Sequence, residues 1–324
     1  MGTPAMGFTR WLIAVVVLYG SCAWSQGYPN RPIKLVVPLA PGGGNDILGR
    51  SVAQSLQERL RQPVVIDNRP GAGGTIGAEY VARAPADGYT LLLAADAQTI
   101  TQWLYKQLPF DIVRDFSPVA MLATLPMLVL THPSLPVNSI AELIAYARAN
   151  PRKLNYASPG IGTPHHVATE LFKKMTGIDM VHVPYKGGAP ALTAIVAGEV
   201  QMMFGVVPTA EPYVKSGKLR ALATSEANRI PMMPDLPTVA ESGLEGFGVT
   251  LWYGITAPAG TPVGIVARLS EETRRVLESP EMRERLFAQG FLITYRNPEE
   301  FRSIIAADYD KWGKVVRGFG LTAE

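Results

Sequence analysis

One cysteine, Cys22, occurs among 324 residues, so an internal disulfide framework is excluded. Charge is also scarce: 18% of the side chains are charged, and 30 Lys and Arg nearly balance 27 Asp and Glu, leaving no strongly basic surface for nucleic acid. There is no heptad seam, charge block or low-complexity tract, which excludes a coiled coil and extended disorder. No apolar run reaches the ~20 residues that a spanning helix needs without meeting Gly, Pro or charge.

The longest apolar run, residues 11–19 (WLIAVVVLY), follows Arg10 and precedes the small residues Gly20, Ser21, Cys22 and Ala23. This is the pattern of a secretory signal peptide, residues 1–25, with Ala23 and Ser25 three and one before the cut. A lipoprotein cut before Cys22 is the rival, which Tyr19 fits poorly. Cutting after Ser25 leaves an exported, cysteine-free chain and places the protein in the periplasm.

After Arg31 a unit repeats: a short apolar run, a Gly-rich turn and an amphipathic stretch, which reads as α/β with parallel strands. The runs are 33–37, 64–66, 90–95, 127–130, 154–157, 181–183, 201–204, 219–223 and 253–257. Helix starts are marked by a capping residue before proline at Thr163, Thr261, Ser279 and Asn297, and Ser139 with Glu142 has capping-box spacing. Phe301, Ile304, Ile305, Tyr309 and Trp312 form one apolar stripe, read as core. Residues 117–127 and 246–260 read as two crossings between domains. The expected lobe one is therefore discontinuous, 28–125 plus 250–324, with lobe two at 126–249.

Several turns have the chemistry of anion sites. Pro41-Gly42-Gly43-Gly44-Asn45-Asp46 ends the first strand and opens a helix, with Asn45 as the expected cap and Ile47, Val52, Ala53, Leu56 and Leu60 facing the sheet. Bare glycines at a helix start present free N–H groups. The same segment misses a nucleotide-binding loop because Arg50 stands where lysine is required, and residues 68–74 lack the third glycine of a dinucleotide turn. In the second half, residues 157–163 open a helix capped by Thr163. His165 and His166 lie in its first turn, one expected to be a neutral pocket donor and the other a surface residue. Adjacent helical residues diverge by about 100°, and no second set of ligands accompanies them, so no metal or cofactor is expected. Tyr185 and Lys186 flank a third turn, where the ring is suited to stacking and the ammonium to supplying field.

In order along the chain, these loops resemble the tripartite tricarboxylate transporter receptor family, the Bug-type periplasmic solute receptors. The likeness rests on Pro41-Gly42-Gly43 with Asp46, residues 68–74, 160–166 and 182–187, then 216–220, 237–243, 252–254 and 257–262. The resemblance implies a two-lobed periplasmic-binding-protein fold of type II, a Venus flytrap, closing on a small carboxylate held by main-chain N–H groups, hydroxyls and water. It would place Gly42, Gly43, Asn45 and Asp46 at the cleft from lobe one. Ser158, Gly160, Thr163, His166, Tyr185, Lys186, Gly187 and Gly188 would face it from lobe two, with Ala95, Asp96 and Ala97 near the ligand's far end. Gly205, also expected at the cleft, stands where the family usually has aspartate, and Asp96 where relatives more often have a small neutral residue.

The function so implied is capture of an organic acid by a monomer and delivery to integral-membrane transporter subunits. The alternative is a secreted hydrolase or transferase using Ser158 with His166, against which stand the missing G-x-S-x-G elbow and the lack of an orienting carboxylate.

Overall fold

The computed structural model describes residues 27–319, so the expected signal peptide lies outside the described residues. Strands β1 (Ile33–Val37), β2 (Val64–Asn68), β3 (Thr90–Ala95), β4 (Phe116–Leu125), β10 (Leu251–Pro258) and β11 (Leu292–Arg296) form one sheet in the order β11-β4-β10-β3-β1-β2. Strands β5 (Met127–Thr131), β6 (Asn155–Ser158), β7 (Val181–Pro184), β8 (Met202–Val206) and β9 (Arg220–Thr224) form the other, in the order β7-β6-β8-β5-β9. The helices are α1 (Gly44–Leu60), α2 (Thr75–Ala82), α3 (Asp96–Leu104), α4 (Ile140–Ala149), α5 (Pro164–Thr176), α6 (Gly188–Val196), α7 (Val207–Lys215), α8 (Val263–Glu278), α9 (Pro280–Ala288) and α10 (Pro298–Phe319).

The sheets are mixed, which corrects the all-parallel reading. β1 pairs in parallel with β2 and β3, and β6 with β7 and β8, but β10 runs antiparallel to β3 and β4, and β5 to β8 and β9. Every residue of β10 is buried, so its two covered faces gave the same continuous apolar signature that a parallel strand gives. Within residues 117–127, expected as a crossing, β4 occupies most of the segment and only Pro126 separates it from β5 in the other sheet. β9 returns to β10 through residues 225–250. Met127 O accepts from Ser225 N at 2.9 Å and Ser225 O accepts from Val249 N at 2.9 Å, so the two passages between the sheets are hydrogen-bonded side by side.

The caps follow local chemistry. Ser279 accepts from Met282 N, and Asn297 accepts from Glu299 N and Glu300 N while Glu300 reaches back to Asn297 N. Ser139 accepts from Glu142 N, but Glu142 closes on the Asn138 N–H. At α8 the cap is Pro262, one residue later than expected, because the Thr261 hydroxyl donates to Pro258 O instead. α1 buries Leu48, Val52, Leu56 and Leu60, each contributing about 1.5–3 kcal/mol, whereas Ile47 is exposed at 38% rather than facing the sheet. In the α10 stripe Phe301, Ile305 and Trp312 are fully buried, and Ile304 and Tyr309 pack at its edge.

Candidate functional site

The carboxyl end of β1 leads into the turn before α1. Gly42 has φ +86°, a conformation that glycine adopts without penalty, and Gly43 is the helix cap, with no side chain to close the first turn. Asn45 is therefore not the cap. It lies inside the first turn, buried, with Nδ2 unpartnered. The first helical bond runs from Ile47 N to Gly43 O, so the amides of Gly43, Gly44 and Asn45 precede the helical ladder and point out of the helix end.

Asp46 organises the turn. Its carboxylate accepts from Gly42 N at 3.0 Å, Asn68 Nδ2 at 3.0 Å and Arg50 Nε at 2.9 Å. Asn68 also donates to Leu39 O, so one carboxylate ties the end of β2 to the β1–α1 turn. Burial pushes this carboxyl up, but the bonds from Arg50, Gly42 and Asn68 outweigh it and hold the group at about 2.

At the next strand end, Ala95 N donates to Gln98 Oε1 at 2.7 Å and Asp96 opens α3. Asp96 is buried with Oδ2 unpartnered, while Ala97 N donates to its carboxylate. Burial and the nearby Asp308 raise its pKa well above the usual carboxylate range, against the opposing Lys311. Tyr253, opposite Ala95 in the register, places its hydroxyl 3.6 Å from where a Cβ on Gly44 would stand.

In the second sheet Ser158, at the end of β6, is fully buried. Its Oγ lies 3.0 Å from Gly160 O, 3.1 Å from Gly160 N and 2.6 Å from His182 Nε2. The hydroxyl's hydrogen-bonding capacity is thus spent on the turn and on a histidine of β7. His166, the partner expected for a nucleophilic Ser158, instead accepts from Gly162 N through Nδ1 at 3.1 Å. His182 faces Tyr156 across the β6–β7 register, and the rings of Tyr156, His182 and His166 stack in that order, with centroids 4.7 and 4.1 Å apart. The Tyr156 hydroxyl donates to Glu170, which also pairs with Lys173.

Neither histidine of the pair is a plain surface residue: His166 is buried, and His165 is partly buried with Nδ1 unpartnered and its pKa lowered by burial to about 4. Among the described residues no three His, Cys, Asp or Glu side chains come together as metal ligands. Thr163 caps α5 from its hydroxyl, which also donates to Gly160 O at 2.8 Å. Two amides expected to be free are engaged, Gly160 N by Ser158 and Gly187 N by Pro159 O. Lys186 is exposed and Tyr185 half-buried. Gly188 begins α6, whose first bond joins Ala191 N to Gly187 O. Gly205 lies within β8, and Leu130 Cδ1 comes 2.5 Å from where its Cβ would be, so the β5 leucine occupies the space of a larger side chain.

The turns of the β1–α1, β3–α3 and β6–α5 junctions thus each hold a buried polar side-chain atom without a partner: Asn45 Nδ2, Asp96 Oδ2 and His165 Nδ1. Such atoms are costly unless something polar meets them. The family model for the tripartite tricarboxylate transporter family receptor matches residues 48–321. The chain belongs to this receptor family. Among solved members, Rpa4515 of R. palustris, determined with adipate, is 39% identical with a TM-score of 0.83, covering 91% of this chain and 99% of that one. The periplasmic binding protein BugD is 34% identical with a TM-score of 0.81, over 92% of this chain and 100% of its own. MatC of Rhodopseudomonas palustris, with bound malate, is 34% identical with a TM-score of 0.79, over 89% and 99%. The fold is accordingly the two-lobed periplasmic-binding-protein type, as the resemblance implied. No helix among the described residues is long and apolar enough to cross a membrane.

Sequence reasoning missed His182 as a member of the site and Tyr156, Glu170 and Gln98 as its supports. The period-two spacing of Tyr156 and Ser158 placed them on one strand face, but the register that brings His182 to them is non-local.

Proposed function

We propose that this receptor captures a small organic carboxylate between its lobes in the periplasm and hands it, unchanged, to membrane subunits of a tripartite tricarboxylate-type transporter. The lobes are residues 28–125 with 250–324, and 126–249, hinged where the chain passes between the sheets at Pro126 and beside Val249. It works as a monomeric binding protein rather than an enzyme. The observation that carries this reading is the start of α1, whose first turn holds both unladdered amides and the buried, unpartnered Asn45 Nδ2, in a chain whose relatives were solved with adipate and malate. Donors without partners at a helix N-terminus favour an anion.

Micromolar affinity needs about 8 kcal/mol, within reach of a few charge-assisted bonds at about 1.5–3 kcal/mol each after ordering costs. The buried and fully engaged Ser158 hydroxyl disfavours the nucleophilic alternative. A thermal-shift panel of mono- and dicarboxylates that includes adipate and malate tests the reading. Binding at one hundred times the dissociation constant raises stability by about 2.7 kcal/mol, and mass spectrometry recovers the acid intact. A panel with no stabilising acid, or turnover abolished by Ser158→Ala, refutes it.

A further inference from the structure

The Tyr156–His182–His166 stack adjoins the turn of residues 157–163, which the resemblance places at the ligand; His166 acts on that turn's backbone directly and His182 through the Ser158 hydroxyl. His166 Nδ1 accepts the Gly162 N–H, so the imidazole proton resides on Nε2. His182 Nε2 meets Ser158 Oγ, and the same oxygen lies within bonding distance of both polar atoms of Gly160. Gly160 and Gly162 have φ +142° and +76°, and an added Cβ on Gly162 would stand 2.3 Å from Leu104 Cδ1 of α3. These are peptides that side-chain sterics alone do not fix. His166 bonds Gly162 directly, and His182 steadies the Ser158 hydroxyl that, with Thr163, holds Gly160.

We propose that His166 and His182 are positioning residues: a stacked pair of imidazoles that holds the turn of residues 160–163, His166 directly and His182 through Ser158, in the shape that meets the carboxylate, so that protonating His166 at Nδ1 removes the Gly162 bond and weakens ligand binding. The inference rests on the binding reading above. The electrostatics around the pair agree. Burial lowers both histidines, His182 to about 4. The charged groups acting on them are Glu170, which raises both, and Lys173, which lowers both, while His166 further lowers His182. Tyr156 contributes an uncharged phenol, because burial and its bond to Glu170 push its pKa far up. With parallel rings 4.1 Å apart, one positive charge disfavours a second.

The test has a ligand-free and a ligand-bound arm on the full mature protein. In the first, nitrogen-15 NMR follows the His166 ring and the Gly162 amide from pH 8 to 4.5. The expected result is a ring protonated at Nε2 alone at neutral pH, and a Gly162 amide that shifts with the ring's titration below 6.5. A Gly162 amide indifferent to that titration overturns the proposal whether or not any acid binds.

In the second arm, calorimetry with adipate and malate reads affinity against pH after correction for ligand ionisation. Wild type loses affinity as pH falls below 6.5. His166→Ala binds about tenfold more weakly at pH 7.5, whereas His166→Asn, whose Oδ1 keeps an acceptor near Nδ1, retains affinity and flattens the acid limb. Affinity that rises on acidification marks His166 as a direct cationic ligand contact and overturns the positioning role. Failure of both acids to bind sinks the carboxylate reading and leaves the NMR arm to decide the histidines.

Discussion

Replacing Asp46 with asparagine isolates the charge that organises the β1–α1 turn. The side chain is 5% exposed and accepts three hydrogen bonds, from Arg50, Gly42 and Asn68, while the Arg50 side chain is 55% exposed. Lowering the carboxyl from 3.8 to about 2 corresponds to roughly 2.5 kcal/mol of stability at neutral pH. Solvent screening on the Arg50 side brings the expected loss in Asp46→Asn to about 2 kcal/mol. The new amide also directs a donor at partners that are themselves donors, Gly42 N, Asn68 Nδ2 and Arg50, so one of those bonds is lost outright.

The sign of the pH dependence follows from a pKa depressed on folding. The carboxylate's stabilisation is fully present above 3.8 and disappears as pH falls through about 2. Urea unfolding at pH 7, 5, 4 and 3 should show a gap of about 2 kcal/mol between wild type and variant at pH 7 and 5, narrowing at pH 4 and closing further at pH 3. At neutral pH the melting temperature should drop by about 4–8 °C. A gap that stays constant down to pH 3, or one below about 0.5 kcal/mol at pH 7, would show that the three bonds do not hold the turn.

Two further substitutions probe the passages between the sheets and the core. Burial raises Glu226 to about 7 against the Thr250 hydroxyl bond and the Lys311 charge, and its Oε1 is buried without a partner. A raised carboxyl gives stability that is present below 4.5 and lost as pH rises through 7, so Glu226→Gln should lie within about 1 kcal/mol of wild type at pH 5 and exceed it by about 3 kcal/mol at pH 8. Equal urea midpoints at pH 8 would contradict this. Gly254→Ala places a Cβ 2.3 Å from Phe301 Cζ and 2.8 Å from the Ala120 carbonyl oxygen. The ring is fully buried and the oxygen belongs to β4, so overpacking should cost about 1–3 kcal/mol, and a thermal melt unchanged from wild type would refute that.

The parts of the fold readable in the chain are those whose signal is local. Caps at Ser279 and Asn297 are decided within four residues, and nine apolar runs corresponded to strands within a few residues. β4 escaped because Pro118 interrupts its pattern, and a register irregularity in β10 accommodates that proline where it meets Thr256. β11 escaped because an edge strand with half-covered faces carries too weak a pattern, and it pairs only through an irregular register with β4. Strand direction left no trace in composition: the buried antiparallel β10 and the buried β1, parallel to both its neighbours, read alike.

The site divides along the same line. Glycine turns at strand ends marked the helix starts of the proposed site, since free amides at a helix start depend only on a few consecutive residues. Which atoms stay free depends on distant neighbours. Asp46 looked available until Asn68 and Arg50 engaged it, and the Ser158–His166 pair looked catalytic until Gly162 N took His166 Nδ1 and Gly160 took the hydroxyl. A hydroxyl with the backbone of Gly160 on one side and an imidazole on the other has no spare direction for a substrate carbonyl, and its full burial removes the approach as well. What a catalytic reading takes for a dyad is, by this geometry, a device for holding a turn still.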